Sequence, residues 1–244
     1  MKGLILAAGF GHRLRPLTEH LPKPLLPVGG IPLIHYNILL LKYSGITDIV
    51  INVHYYAEKI IEALGSGKGL GVHLTYSKEA EILGTGGAIK NLQSQLGDAP
   101  FLVINADILV NVDLKRLIAF HQQHRPAATL VLRKDPEQSQ YGIIETDAND
   151  RIQNILSKVP LKKGRFRKRM FTGIHIITPK VFDYVPPNVF YSITDSYIEM
   201  LKKEECLYGY TMRGYWNDIG VEKRYREVNQ KMQERKIRLR YMGN

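Results

Sequence analysis

A single cysteine, Cys206, among 244 residues leaves no partner for an internal disulfide. This excludes a disulfide-stapled scaffold and suits a reducing, cytoplasmic setting. Long apolar runs are equally scarce. The longest are Leu4–Ala8 and the interrupted stretch from Ile31 to Leu41, both short of the roughly 18 residues a membrane-spanning helix needs. Leu4–Ala8 stands where a signal peptide would, but it is too short and runs at once into Gly9-Phe10-Gly11-His12-Arg13, so a buried strand is expected. Acidic residues are the third shortage: 23 Asp and Glu against 34 Lys and Arg leave a net charge of +11. What remains is 44% apolar, an ordinary globular composition, with a length that fits one large domain rather than three.

The surplus positive charge gathers in two places. One is Lys162-Lys163-Gly164-Arg165-Phe166-Arg167-Lys168-Arg169; the other is a tail carrying Lys231, Arg235, Lys236, Arg238 and Arg240. The reading of least cost is a solvated loop and a solvated last helix, with phosphate-bearing small molecules next. Neither a nucleic-acid nor a membrane partner is expected, because no zinc-ligand spacing, aromatic RNA-binding signature or recognition-helix pattern accompanies the charge.

Apolar periodicity alternates along the chain. Gly3–Ala7, Asp48–Val53, Val72–Tyr76, Phe101–Asn105 and Ala127–Arg133 read as strands. Between them Ile31–Tyr43, Glu58–Leu64, Gly86–Gln95 and Asp113–His124 read as helices. Strands separated by helices imply a mostly parallel sheet covered on both faces, with ligands beyond the C-terminal strand ends. The pattern then changes: Tyr141–Thr146 and Arg151–Leu156 form a hairpin by composition, followed by a strand at Phe171–Ile177, a helix at Thr194–Lys203, a strand at Leu207–Met212 and a helix from Val221. The hairpin turn Asp147-Ala148-Asn149-Asp150 lacks the glycine and distal glutamate of a calcium loop. The expected organisation is one domain over residues 1–230, with a nucleotide-binding half at 1–125, a second-substrate half at 126–230 and a basic tail at 231–244.

Four constellations carry chemistry. In Ala7-Ala8-Gly9-Phe10-Gly11-His12-Arg13-Leu14-Arg15-Pro16, a strand runs into Gly-x-Gly, where bare backbone amides can approach an anion. Arg13, Arg15 and Lys23, the last between Pro22 and Pro24, add cations. The loop matches neither the Walker pattern nor the dinucleotide fingerprint, whose third glycine would replace Leu14. Glu79 precedes Leu83-Gly84-Thr85-Gly86-Gly87-Ala88, glycines at a helix start. Asp107 ends Asn105-Ala106-Asp107, and Asp218 lies in Trp216-Asn217-Asp218-Ile219-Gly220, about 110 positions later. Each could simply cap a helix or turn. Finally, Tyr141-Gly142-Ile143-Ile144-Glu145, Ser157-Lys158-Val159-Pro160 and Phe171-Thr172-Gly173-Ile174 punctuate the second half.

Together, the N-terminal run with Pro22-Lys23-Pro24-Leu25 resembles the signature of the sugar-phosphate nucleotidyltransferases, and the resemblance extends to about Val228. It is nearest to the mannose-1-phosphate guanylyltransferase and N-acetylmuramate-1-phosphate uridylyltransferase branches. The resemblance implies a Rossmann-like three-layer α/β fold with a mostly parallel central sheet and a smaller β-rich sugar-binding part. It implies a nucleoside triphosphate and a sugar 1-phosphate as substrates, Mg²⁺ as cofactor, and a direct displacement of pyrophosphate. Carried over residue by residue, Arg13 and Lys23 become catalytic, and Ala7, Ala8, Gly9, Gly11, Glu79, Gly84, Thr85 and Gly86 nucleotide-binding. Gly142, Glu145, Lys158 and Thr172 become sugar-phosphate-binding, and Asp107 and Asp218 metal-binding. Ser157 stands where the family often has a glutamate on the sugar hydroxyls, and Asn105 where glycine is common.

An ionised Glu79 can only accept hydrogen bonds, which leans towards guanine with its two adjacent donors over uracil with one. GTP with a mannose- or heptose-type 1-phosphate is therefore expected ahead of UTP with N-acetylmuramate 1-phosphate or another hexose 1-phosphate. A nucleotide-sensing module without turnover is the rival of another class, and retention of Arg13, Lys23, Asp107 and Asp218 together argues against it.

Overall fold

The computed structural model describes residues 1–135, 141–161 and 163–243. Lys162, in the basic cluster, lies outside them. In chain order the elements are β1 (Gly3–Leu6), β2 (Pro27–Val28), β3 (Ile31–Pro32), α1 (Leu33–Tyr43), β4 (Asp48–Val53), α2 (Ala57–Leu64) and β5 (His73–Lys78). They continue with α3 (Gly84–Asn91), α4 (Gln93–Leu96), β6 (Phe101–Asn105), β7 (Ile108–Val110), α5 (Leu114–His124), β8 (Ala128–Arg133), β9 (Ile143–Thr146) and β10 (Ile152–Ile155). The last are β11 (Arg167–Ile177), α6 (Ile193–Lys202), β12 (Leu207–Thr211), β13 (Trp216–Asp218) and α7 (Glu222–Gln233). They group into two units. The first takes Met1–Ile82, Ile104–Asp113 and Gly214–Asn244; the second takes Leu83–Val103 and Leu114–Arg213.

In the first unit β1, β4 and β5 pair in parallel, Leu4 opposite Val50 and Ile51 opposite Tyr76. The near-continuous apolar sequences of β1 and β4 are those of strands buried on both faces, whereas β5 is more polar and only partly buried. Leu4, Ile5, Ile49, Ile51 and Val53 are fully buried. Each contributes about 1.5–3 kcal/mol by leaving water. Helix α1 starts after Pro32, whose fixed φ suits a helix entry, and the chain reverses at Gly45 with φ 88°. Beyond the parallel ladder, β7 and β13 form a two-stranded antiparallel ribbon. Three-residue strands this far apart in sequence leave no periodic signal, which is why the sequence reading lacks them.

The basic tail is not a solvated helix. Helix α7 stops at Gln233, and Ile237, Leu239 and Tyr241 are buried between exposed Lys236, Arg238 and Arg240. This strap, the segment from Lys236 to Leu239 and the short helical turn Arg240–Met242, thus buries alternate side chains and leaves the cations between them in water. The Tyr241 hydroxyl donates to the Val110 carbonyl at 2.9 Å, tying the strap to β7.

The second unit holds the strand order β10–β9–β11–β8–β12, antiparallel except for the parallel pair of β8 and β12. The expected hairpin is present: Asp147 Oδ1 accepts from the amides of Asn149 and Arg151 at 2.9 and 3.0 Å, the carboxylate-stabilised turn its composition implies. The basic cluster is only partly loop. Strand β11 begins at Arg167, with Arg167, Lys168 and Arg169 opposite Thr146, Glu145 and Ile144. Long cationic side chains can hold their charges in water while their backbone pairs, so charge density hid the strand. Among the described residues no helix is long and apolar enough to cross a membrane.

Candidate active site

The Gly-x-Gly loop leaves β1 at its C-terminal end, where parallel sheets bind ligands. Ala7 is anchored: its amide donates to Asn52 Oδ1 at 2.8 Å, and Asn52 Nδ2 donates to Glu79 Oε1 at 2.7 Å. All three are buried, so the ends of β1, β4 and β5 are joined by one hydrogen-bonded chain. Gly9 is different, because a Cβ built there would meet nothing within 4 Å. Gly11 adopts φ 71°, and Thr18 Oγ1 donates to its carbonyl at 2.9 Å, which closes the loop over the short helical turn His12–Leu14. Arg13 lies on that turn, exposed, while Leu14 anchors it in the core.

Lys23 Nζ donates to Asp107 Oδ2 at 2.5 Å, with side chains 13% and 27% exposed. Asp107 occupies the turn between β6 and β7. The ribbon brings Asp218 to it: Asp218 pairs with Ile108, and the Ile219 amide donates to the Asp107 carbonyl at 2.9 Å. Burial raises the Asp218 pKa above the ordinary carboxylate value, and the charge of Asp107 raises it further; Lys23, Arg224 and Arg13 pull it back. Arg224 Nη1 stands 3.6 Å from Asp218 Oδ2. A Cβ on Gly220 would sit 2.6 Å from Asp218 Oδ1 and 3.2 Å from Arg13 Nη2, so the bare glycine lets the guanidinium reach this corner. Two acids and three cations therefore meet in the first unit.

Asp218 Oδ1 is buried with no hydrogen-bond partner. An orphaned oxygen on a carboxylate that feels the charge of a second carboxylate suits a cation. Among the described residues no group of three or more His, Cys, Asp or Glu is assembled to hold a metal. A pair of carboxylates without further protein ligands is the pattern of Mg²⁺, which keeps waters and substrate phosphates in its shell.

In the second unit the Leu83–Ala88 glycines are already engaged. The Tyr191 carbonyl accepts from Gly86 N at 2.8 Å and Gly87 N at 3.2 Å, and Thr85 Oγ1 accepts from the Ile193 amide at 3.0 Å. Close packing against residues 189–193 accounts for these glycines, since a Cβ on Gly84 would stand 2.7 Å from the Tyr191 carbonyl oxygen.

A cavity of about 70 Å³ opens in the same unit, with Tyr141, Gly142, Leu156, Phe171, Thr194 and Tyr197 among its walls. Of the residues expected on the sugar, Gly142 lines it. Lys158 is half exposed, its Nζ 3.6 Å from Asp195 Oδ1. The other two face elsewhere. Glu145 follows the cavity-lining Ile144 on β9 and so points to the opposite face, where it accepts from Asn154 Nδ2 at 2.9 Å. Thr172 is buried, with its hydroxyl donated to the Val131 carbonyl at 2.8 Å. Alternation along a strand decides both, and a motif read as a contiguous word hides it.

The family model described as nucleotidyl transferase matches residues 2–235. The chain belongs to that family. It is 38% identical over 227 residues to the mannose-1-phosphate guanyltransferase of Kluyveromyces lactis and 37% identical to that of Saccharomyces cerevisiae. Each match covers 91% of this chain and 62% of the relative, so the chain spans about three fifths of the curated relatives' length. A solved structure from Bacillus anthracis, assigned by name to glucose-1-phosphate thymidylyltransferase and in complex with sucrose, matches with a TM-score of 0.84 at 28% identity over 96% of both chains. HddC from Yersinia pseudotuberculosis, complexed with GMP-PN, matches with a TM-score of 0.76 at 25% identity, covering 94% of this chain and 98% of that one. The fold is thus the Rossmann-like α/β nucleotidyltransferase fold, with its parallel strands around β1.

Sequence reasoning missed Asn52, which joins Ala7 to Glu79, and Arg224, which stands beside Asp218. Asn52 had a signal, a lone amide in the buried strand Asp48–Val53. Arg224 had none, since it is one cation among many on a polar helix.

Proposed function

We propose that this nucleotidyl transferase joins a nucleoside triphosphate, GTP in our reading, to a sugar 1-phosphate of mannose or heptose type, releasing pyrophosphate. The observation that carries the proposal is the meeting of Lys23, Arg13, Asp107 and Asp218 near the open loop at Gly9. Tightly apposed acids and cations around an unpaired carboxylate oxygen have no advantage as a structural element, but they fit a polyphosphate with its counter-cation. The names of the relatives, mannose-1-phosphate guanyltransferase, support the choice of base and sugar.

In the reaction an oxygen of the sugar 1-phosphate attacks the α-phosphorus. A new P–O bond forms, the bond between the α-phosphorus and its bridging oxygen breaks, and pyrophosphate departs with that electron pair. The nucleophile is already anionic, so no general base is needed; positioning and charge stabilisation supply the catalysis. Arg13 neutralises the leaving pyrophosphate and Lys23 the α-phosphate. The loop from Ala8 to Gly11, with the Ala7 amide held by Asn52, offers amides to the nucleotide phosphates. Glu79, positioned by Asn52, accepts from the donor edge of guanine. Lys158 and Gly142, in the second unit, receive the sugar phosphate. Asp107 and Asp218 are the residues that would hold Mg²⁺, which when bound supplies positive charge to the phosphates.

The experiment is a matrix of the four nucleoside triphosphates against a panel of sugar 1-phosphates, scored by pyrophosphate release with and without Mg²⁺. Turnover highest with GTP and mannose 1-phosphate is expected. Absence of pyrophosphate release across the whole matrix would overturn the proposal.

A further inference from the structure

Asp195 belongs to none of the constellations read from the sequence, yet it stands at the edge of the second unit's cavity. Its carboxylate is 3.6 Å from Lys158 Nζ. Thr194, the residue before it, lines that cavity, and so does Leu156, two residues before Lys158. We infer that Asp195 is a sugar-recognition residue: it accepts hydrogen bonds from hydroxyls of the sugar phosphate and holds the Lys158 ammonium beside the cavity. This deepens the sugar 1-phosphate reading and rests on it.

The turn that delivers Lys158 supports a ligand role. Leu156 and Ser157 both have left-handed backbone, with φ 55° and 58°, which bulky or branched side chains avoid. Two such residues in succession persist only where the surroundings over-determine them, and such strain gathers at ligand sites. The surroundings here are the Lys158 amide donating to the Ile155 carbonyl and the Val159 amide donating to Asn154 Oδ1, each at 3.0 Å. An ion pair whose side chains are 55% and 45% exposed gives little stability in return, so stabilising the fold does not account for it. Its chemistry matches a polyol phosphate. The ammonium takes phosphate oxygens, while the carboxylate, an acceptor only, takes hydroxyl protons. Ser157 is short and uncharged, which leaves Asp195 as the carboxylate next to Lys158.

A purely structural role for Asp195 is the competing account. It lies in the first turn of α6, where Ser192 is the N-cap and the helix dipole favours an acid. That account ties Asp195 to stability and leaves sugar selectivity untouched.

The test is steady-state kinetics of the full chain with GTP, mannose 1-phosphate and its singly deoxygenated analogues, for the wild type, Asp195→Asn and Asp195→Glu. Asp195→Asn is expected to raise the KM for mannose 1-phosphate about tenfold or more and to leave the KM for GTP unchanged. The wild-type preference over at least one deoxy analogue should collapse in the same variant, because one carboxylate oxygen becomes an N–H donor and the negative charge that strengthens acceptance is lost. Asp195→Glu keeps the charge at the helix start and should retain thermal stability while shifting that preference; it carries the test if Asp195→Asn fails to fold. Unchanged preference across all analogues in an active, folded variant overturns the inference and leaves the proposed reaction standing. A wild type that releases no pyrophosphate with any sugar phosphate overturns the reaction, and the inference with it.

Discussion

A Cβ added to Gly9 would meet nothing within 4 Å, whereas one on Gly87 would stand 2.5 Å from the Val189 carbonyl oxygen and one on Gly84 2.7 Å from that of Tyr191. The two glycine-rich loops are alike in composition and unlike in use. Around Gly9 the missing side chain leaves open space in a loop anchored on either side, through Ala7 and through Gly11. At Gly84–Gly87 it lets a second stretch of backbone come close enough to take the helix-start amides for itself. Glycine at a helix start is therefore a licence for close approach, and the approaching group can be the protein itself.

Substitutions at the two loops should separate these uses. The largest effect is expected beside the first one. Lys23→Ala removes a cation from the charge cluster and should lower turnover by about 10²–10³-fold, read as pyrophosphate release, with the folded state retained. Gly9→Ala should leave the thermal midpoint unchanged while lowering turnover roughly 10- to 100-fold, because its methyl group displaces the phosphates rather than the protein. Gly84→Ala should do the reverse. Its left-handed φ of 70° and its contact with Tyr191 predict a loss of about 1–3 kcal/mol in urea unfolding. A Gly9 variant that melts early, or a Gly84 variant that does not, would break the comparison.

Asn52→Leu tests the anchor of the first loop. It removes the side-chain acceptor of the Ala7 amide, which keeps only its weaker bond to the Asn52 carbonyl at 3.2 Å, and one donor to the Glu79 carboxylate. The expected cost is about 1–3 kcal/mol of stability, with weaker nucleotide binding by calorimetry.

A separate expectation is acid sensitivity originating in the second unit. His121 is buried against the Thr129 hydroxyl, and His175 against that of Tyr197. Burial lowers their pKa from 6.5 to about 4 and about 3. Each stays neutral in the folded chain while the unfolded chain takes up a proton near pH 6.5. Their contribution is therefore complete above pH 6.5 and declines as pH falls, until about pH 4 and pH 3 respectively. The slope is on the order of 1.4 kcal/mol per pH unit for each histidine. Urea midpoints measured from pH 7.5 to 4.5 should fall in that direction, and replacing His121 with Gln should flatten the curve.

Much of the fold was legible because it is locally coded. The β-branched run Asp48–Val53 and the turn composition at Asp147–Asp150 each specify their own backbone through short-range sterics and hydrogen bonds. The strap at Ile237–Tyr241 was hidden, because its period of two covers only three buried residues inside a charge run. The active-site acids were legible as residues and not as a pair. What joins Asp107 to Asp218 is a ribbon of two three-residue strands, too short to announce itself. Glu145 and Thr172, expected on the sugar, hold protein partners for a related reason, since a motif names neighbours in sequence while a strand sends neighbours to opposite faces.

Local chemistry alone thus determined where this chain extends, coils and turns, and which residue types it brings to the ends of its parallel strands. Tertiary structure decided which of those groups remain available. Whether an amide or a glycine is left for a ligand depends on competitors about a hundred positions away, such as Tyr191 for the amides of α3. Hydrogen bonds and excluded volume are settled between neighbours in space, and sequence distance carries no information about them.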